Sequence, residues 1–268
     1  MIDNINNKIK AITRNIELKV CTNYKLNFRN KGIVNFIDIG SMGGLPEPWR
    51  QNANKIKFVL NFEPNESPRR GPNFMTYNTA VWESEETRQF YLYKGFNATG
   101  SSLFKQNYEY VRSNFEKLKN RGPKDLAETW FDRSELIGTI ELKCRTIDSI
   151  LRDEFSSVPF HFMKIDAQGA EYNILKGSES LLSESCVGLH LELFTLPLYE
   201  GIVLLDDVEV YLSKFGFKLV KKWLCRNPNL RSGVPTTERS KVQCLLTLLW
   251  SNVVRRRYNV SKPVYQVC

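Results

Sequence analysis

The stretch "FMKIDAQGAEYNILKG", Phe162 to Gly177, decides how this chain is read. Apolar residues lead into Asp166, the backbone is released at Gly169, and Glu171 and Tyr172 open a helical pattern. A strand that ends in an acid and turns into a helix is a unit of an open α/β sheet. Ligands of such sheets bind beyond the carboxyl ends of the strands. Two carboxylates at that edge exceed what a structural turn needs.

Similar units flank this one. "IVNFIDIG", Ile33 to Gly40, is an apolar strand, followed by the loop "SMGGLPEP" and a short helix from Trp49 to Lys55, with Pro48 suited to its first turn. The strand "IKFVLNFE" ends at Glu63, where Pro64 stops it. "FMTYNTAV", Phe74 to Val81, reads as one further strand and "RQFYLY" as a half-exposed one. After "TIELKCRTIDSIL" come the strand "HFMKID", one helix "AEYNILKGSESLL", and the strand "VGLHLELF". A helix over Leu204–Phe215, the strand "FKLVKKW" and a last strand over Leu245–Val254 complete the series. This alternation predicts a doubly wound, mostly parallel, Rossmann-like α/β sheet with an antiparallel C-terminal strand pair.

Residues 1–32 carry Ile5, Ile9, Ile12 and Ile16 at helical spacing and read as an N-terminal helical segment ahead of one domain, 33–268. From about 94 to 138 the pattern is lost over a length too great for a plain connection. We expect an insertion, or lid, over the site.

The composition narrows the class. At 268 residues and 42% hydrophobic content the chain suits one large soluble domain. Its start lacks the features of a signal peptide, and the longest apolar run, Cys244 to Val254, is too short to span a bilayer. A cytoplasmic protein with no transmembrane segment is expected. Six cysteines show no C-x-x-C pair or metal-ligand spacing, so reduced, mainly buried thiols are expected. The net charge of +9 is spread out and no RNP1-like module accompanies it, which disfavours a nucleic-acid partner. Oligomeric state is not readable.

The glycine loop "DIGSMGG" invites a nucleotide, but no Gly-Lys-Ser/Thr follows, which excludes a P-loop, and the second glycine of G-x-G-x-x-G is missing. Glu63, some twenty residues on, is placed to accept hydrogen bonds from a ribose diol. Asp38 adds a second acid. A pyrophosphate would be repelled by such a pocket, whereas S-adenosylmethionine, with a sulfonium, an ammonium and no phosphate, fits it.

Taken together and in order, "FIDIGSMGG", "FEPNE", "NTAVW", "GSSLF", "FMKIDAQGAEYNILKG" and "LELFTLPLYEG" resemble the FkbM family of S-adenosylmethionine-dependent methyltransferases. The resemblance covers about Val34 to Trp223. It implies a class I methyltransferase fold, S-adenosyl-L-methionine as cofactor, and O-methylation of a hydroxyl on a sugar, glycan or secondary metabolite. Carried over by position, it puts Asp38 and Gly40 beside the methionine moiety, Glu63 on the ribose, Asn78 and Ala80 near the adenine, and Asp166 near the methyl group; Ser41, in a Ser-Met pair that replaces the family's commoner small-polar pair, is taken as a further cofactor-binding residue. Glu171 and Glu192 also match acidic positions of the family's pattern.

Methyl transfer to a hydroxyl needs in-line alignment and a base for the proton. Asp166 is the first candidate, then Glu171, with His190 third; an N-cap, a helix-dipole acid and a structural histidine are the respective alternatives. His161 is expected to be exposed. His190, Glu192 and Phe194 should line one face of their strand, and Leu189, Leu191 and Leu193 the other. No Asp-Asn pair ends the fifth strand, so no obligatory metal is expected. Two other readings stay open: a non-catalytic module binding RNA or protein through its basic surface, and a NAD-dependent oxidoreductase.

Overall fold

The computed structural model describes residues 33–42, 44–45, 49–95, 99–119, 130–156, 158–224 and 245–251. The expected N-terminal helix, Pro48 and the end of the last strand beyond Ser251 lie outside them. Among the described residues the central sheet has eight strands: β1 (Val34–Ile39), β2 (Ile56–Phe62), β3 (Arg69–Gly71), β4 (Phe74–Tyr77), β8 (Phe162–Ile165), β9 (Gly188–Phe194), β10 (Lys218–Leu224) and β11 (Leu245–Ser251). Their spatial order is β10-β11-β9-β8-β1-β2-β4-β3. From β4 to β9 the neighbours are parallel, while β11 runs antiparallel between β9 and β10. The doubly wound sheet and its antiparallel C-terminal pair are as expected; the antiparallel edge strand β3 was not foreseen.

The chain moves from β1 outward to β2 and β4, and later returns to the other side of β1 as β8. The topological switch therefore lies between β1 and β8, and the crevice beyond their carboxyl ends is where such sheets take ligands. The strands are nearly unbroken apolar runs because helices cover them. Ile37, Leu60, Met163, Ile165, Leu189, Leu191 and Leu193 are all buried in one core. The leucine face of β9 is as the alternation implied.

Three expectations are corrected. "FMTYNTAV" is not one strand: β4 stops at Tyr77, and β5 (Ala80–Val81) leaves the main sheet to pair with β7 (Leu136–Arg145). The second sheet, β5-β7-β6, is built on the long hairpin of β6 (Thr87–Tyr93) with β7. The expected insertion thus springs from a hairpin, and carries α1 (Tyr108–Leu118) among its described residues.

The single helix expected over "AEYNILKGSESLL" is instead two, α3 (Glu171–Lys176) and α4 (Glu179–Glu184). The first ends at Gly177, which lies so close to Trp82 that a Cβ there would sit 2.1 Å from the Trp82 carbonyl oxygen, so no side chain fits at the junction. Asp148, in the first turn of α2 (Ile147–Phe155), then accepts from Ser180 N and Leu181 N at 2.8 and 3.0 Å and satisfies the new helix start. The third correction is Trp49–Lys55, where the helix is 3₁₀, Arg50–Lys55, with a non-helical residue at Asn52. The last helix among the described residues is α5 (Leu205–Ser213). No helix among the described residues is long and apolar enough to cross a membrane.

Candidate active site

The register of the central strands aligns three polar residues in one row. Asp38 of β1 pairs with Lys164 of β8, which pairs with His190 of β9. Partners in a parallel ladder point to the same face, and two residues further on the same face come Asp166 and Glu192. The sheet therefore delivers a lysine and three acids to the switch point.

Lys164 is the centre of this group, and the residue that sequence reasoning missed. Its ammonium donates to Gly40 O at 2.7 Å and Ile39 O at 3.3 Å. It also lies 3.2 Å from Asp38 Oδ1 and 3.7 Å from Asp166 Oδ2. The signal was visible: a lysine inside the apolar run "FMKID" has to find partners when buried.

Asp38 is fully buried, and neither oxygen receives a well-aligned hydrogen bond from the described residues; the Lys164 ion pair is its contact. Burial raises its pKa to about 6, against the pull of Lys164. Glu63, directly after β2, is also buried; its Oε1 accepts from Asn65 N at 3.1 Å, and burial raises its pKa to about 7.

Gly40 has φ +71, and a Cβ there would stand 1.9 Å from the Asp166 backbone oxygen. The ends of β1 and β8 approach this closely because the side chain is absent; Asp166 N donates to Ile39 O at 3.1 Å in the same contact. Gly40→Ala is expected to displace the loop and lower the melting temperature by roughly 5 °C or more. Thermal denaturation that matched wild type would show that the two strand ends do not need this approach. Ser41 is buried next to it.

Asp166 stands at the opening with its side chain one third exposed. Burial would raise its pKa, but Lys164 leads the groups that hold it below the ordinary value, with Glu192 and Gln168 adding hydrogen bonds. Glu192 moves the other way, well above the ordinary value, through burial and then the charge of Asp166. The two acids share a hydrogen bond and shift in opposite directions, as like charges this close resist joint ionisation.

Glu171 has a different setting. It is buried, and its two oxygens accept from Ala167 N at 2.8 Å and Gly169 N at 2.9 Å; burial raises its pKa to about 8. His190 is buried too, with Nδ1 accepting from the Trp49 indole at 3.0 Å, and burial lowers its pKa to about 4. The neutral ring whose Nδ1 accepts carries its proton on Nε2. His161, expected to be exposed, is half-buried because its Nδ1 accepts from Asn35 N at 3.1 Å. Asn78 is exposed just past β4, beside the Glu63 backbone, whose N–H donates to Tyr77 O. Ala80 is buried at the start of β5. The site therefore gathers Asp38, Gly40, Glu63 and Asp166 at one sheet edge, and leaves Ala80 and His190 in buried settings beside it.

Residues 38–219 match the family model of the methyltransferase FkbM domain, about two thirds of the chain. The chain belongs to the FkbM methyltransferase family. The matched span includes Asp38, Glu63, Lys164, Asp166 and Glu192. Among solved structures, the crystal structure of methyltransferase FkbM from Methylobacillus flagellatus KT is similar at 14% identity and a TM-score of 0.38. That alignment covers 80% of this chain and 43% of the other, so this chain spans less than half of that protein's length. Comparison with curated proteins returns no significant match. No group of three or more metal-ligating side chains occurs among the described residues.

Proposed function

We propose that this FkbM methyltransferase uses S-adenosyl-L-methionine to methylate a hydroxyl of a sugar, glycan or secondary metabolite. The observation that carries the cofactor is Asp38, a buried carboxyl at the switch point whose oxygens receive no aligned hydrogen bond from the described residues and have Lys164 as an ion-pair partner. A cationic ligand group suits it, and a pyrophosphate would meet Asp38, Glu63 and Asp166 together. The cofactor, when bound, supplies a methyl group activated by a sulfonium.

In this reading Asp38, Gly40 and Ser41 hold the amino-acid end and Glu63 takes the ribose hydroxyls, with Asn78 and Ala80 bordering the adenine. Asp166, kept ionised by Lys164, orients the acceptor hydroxyl and receives its proton at a carboxylate oxygen. Glu171 braces the 167–169 loop, since both its oxygens are occupied by backbone amides. His190 supports the Trp49 loop, since the indole occupies its basic nitrogen. The insertion between β6 and β7 selects the acceptor, which we take to be a small molecule or glycan met in the cytoplasm. The free buried thiols of Cys144 and Cys186 suit a reducing compartment.

Calorimetric titration with S-adenosylhomocysteine, S-adenosylmethionine and NAD tests the cofactor. Binding of the two adenosyl ligands and none of NAD is expected. A folded protein that binds neither adenosyl compound rules the reading out.

A further inference from the structure

Gln168 stands between Asp166 and the insertion, and its backbone is unusual. At φ +54 it is the non-glycine residue at positive φ among the described residues. The left-handed region is unfavourable for an L-residue, so such a conformation persists where surrounding groups impose it. Three segments do so here. The buried Ser102 hydroxyl donates to the Gln168 carbonyl at 2.7 Å. The Tyr199 hydroxyl lies 3.1 Å from Gln168 Oε1 and 2.9 Å from Gly100 O, and its one proton serves either. Gln168 Nε2 donates to Asp166 Oδ1 at 2.8 Å.

Ser102 and Gly100 belong to the insertion. Ser102 is itself fixed by paired backbone hydrogen bonds with Tyr91 of β6, at 2.8 and 3.1 Å. Gln106 of the insertion bridges to Tyr199, in the loop after β9. The restraints on Gln168 thus come from the insertion and from the loop after β9, and its amide ends on Asp166.

We propose that Gln168 is a positioning residue that couples the seating of the insertion to the orientation and ionisation of Asp166. The proposal rests on the methyltransferase reading of the site. With the amide on Oδ1 and Lys164 near Oδ2, the Asp166 carboxylate has one orientation. The other charged or titratable groups that interact with Asp166 are Glu192 and His190 on β9, Tyr199 in the loop after β9, Asp38 on β1 and Glu171 on α3, and Glu192 also shares a hydrogen bond with it.

Glycine relieves the left-handed backbone and deletes the amide, so Gln168→Gly separates a structural role from a positioning one. The protein is labelled with aspartate enriched in 13C at the carboxyl carbon, Asp166 is assigned with Asp166→Asn, and its titration is followed by NMR. In Q168G the Asp166 titration should move to higher pH while the melting temperature holds or rises. Gln168→Asn, which tolerates the left-handed region but is shorter, should shift the titration in the same direction; Ser102→Ala should do so by less. An unmoved Asp166 titration in Q168G overturns the proposal. Titration of each protein with S-adenosylhomocysteine keeps the two ideas apart. Wild type that does not bind it rejects the methyltransferase reading, whereas equal binding by wild type and Q168G with an unmoved titration rejects only the role of Gln168.

Discussion

Lys164→Met is expected to lower stability by about 3–5 kcal/mol at pH 8, because removing one partner of a buried pair leaves its charge uncompensated. The lysine closes the polar centre of the sheet: it donates to two carbonyls, of Ile39 and Gly40, and lies within ion-pair distance of Asp38 and Asp166. Methionine restores the length but none of these contacts. Asp38 then has no cation, and burial, which already raises its pKa to about 6 with the lysine present, acts unopposed. A carboxyl pKa raised in the folded state means that the folded protein holds more protons than the unfolded chain, so stability falls as pH rises through the interval between the two values. The deficit of the variant should therefore be largest at pH 8 and shrink toward pH 5, where Asp38 is neutral. Urea denaturation at both pH values measures it. A deficit below about 1 kcal/mol at pH 8, within the range of an ordinary surface pair, would show that Lys164 does not balance the buried acids.

This dependence on Lys164 marks where sequence reading reached its limit. The strands were legible because "VNFIDI", "FMKI" and "GLHLELF" are short, mainly apolar stretches set between turns and helical patterns. The acids at the strand ends were legible because chain order alone puts Asp38, Glu63 and Asp166 at carboxyl termini. Register was not, since it depends on which strands become neighbours: the row Asp38, Lys164, His190 exists only once β1, β8 and β9 lie side by side. The roles of Glu171 and His190 were hidden for a related reason. A carboxylate in a first helical turn looks the same in sequence whether it faces a substrate or, as here, two backbone amides of the preceding loop. The junction at Gly177 meets Trp82, nearly a hundred residues earlier, and Asp148, neither of which is local to it. Local pattern gave the elements; long-range contacts set the chemistry of individual side chains.

Glu63→Ala should weaken binding of S-adenosylhomocysteine by roughly 10²–10⁴-fold, on the view that its carboxylate takes both ribose hydroxyls through charge-assisted hydrogen bonds of about 1.5–3 kcal/mol each. The same substitution should leave the ligand-free fold intact, and the reason is the burial of the group. Glu63 is held at a pKa of about 7, above the ordinary 4.5, with desolvation the main cause and the Asn65 amide opposing it. The folded protein thus retains a proton that the unfolded chain releases, and ionising Glu63 costs stability as pH rises from about 4.5 through 7. Alanine removes that cost, so at pH 8 the ligand-free variant should melt no lower than wild type, apart from the loss of the single 3.1 Å hydrogen bond from Asn65. Calorimetry and thermal melts on the same samples separate binding from folding. Unchanged affinity in a folded variant would remove Glu63 from the ribose site. It would also send the search for the diol acceptor to Glu66, the other buried acid of that loop, whose Oε1 has no hydrogen-bond partner among the described residues.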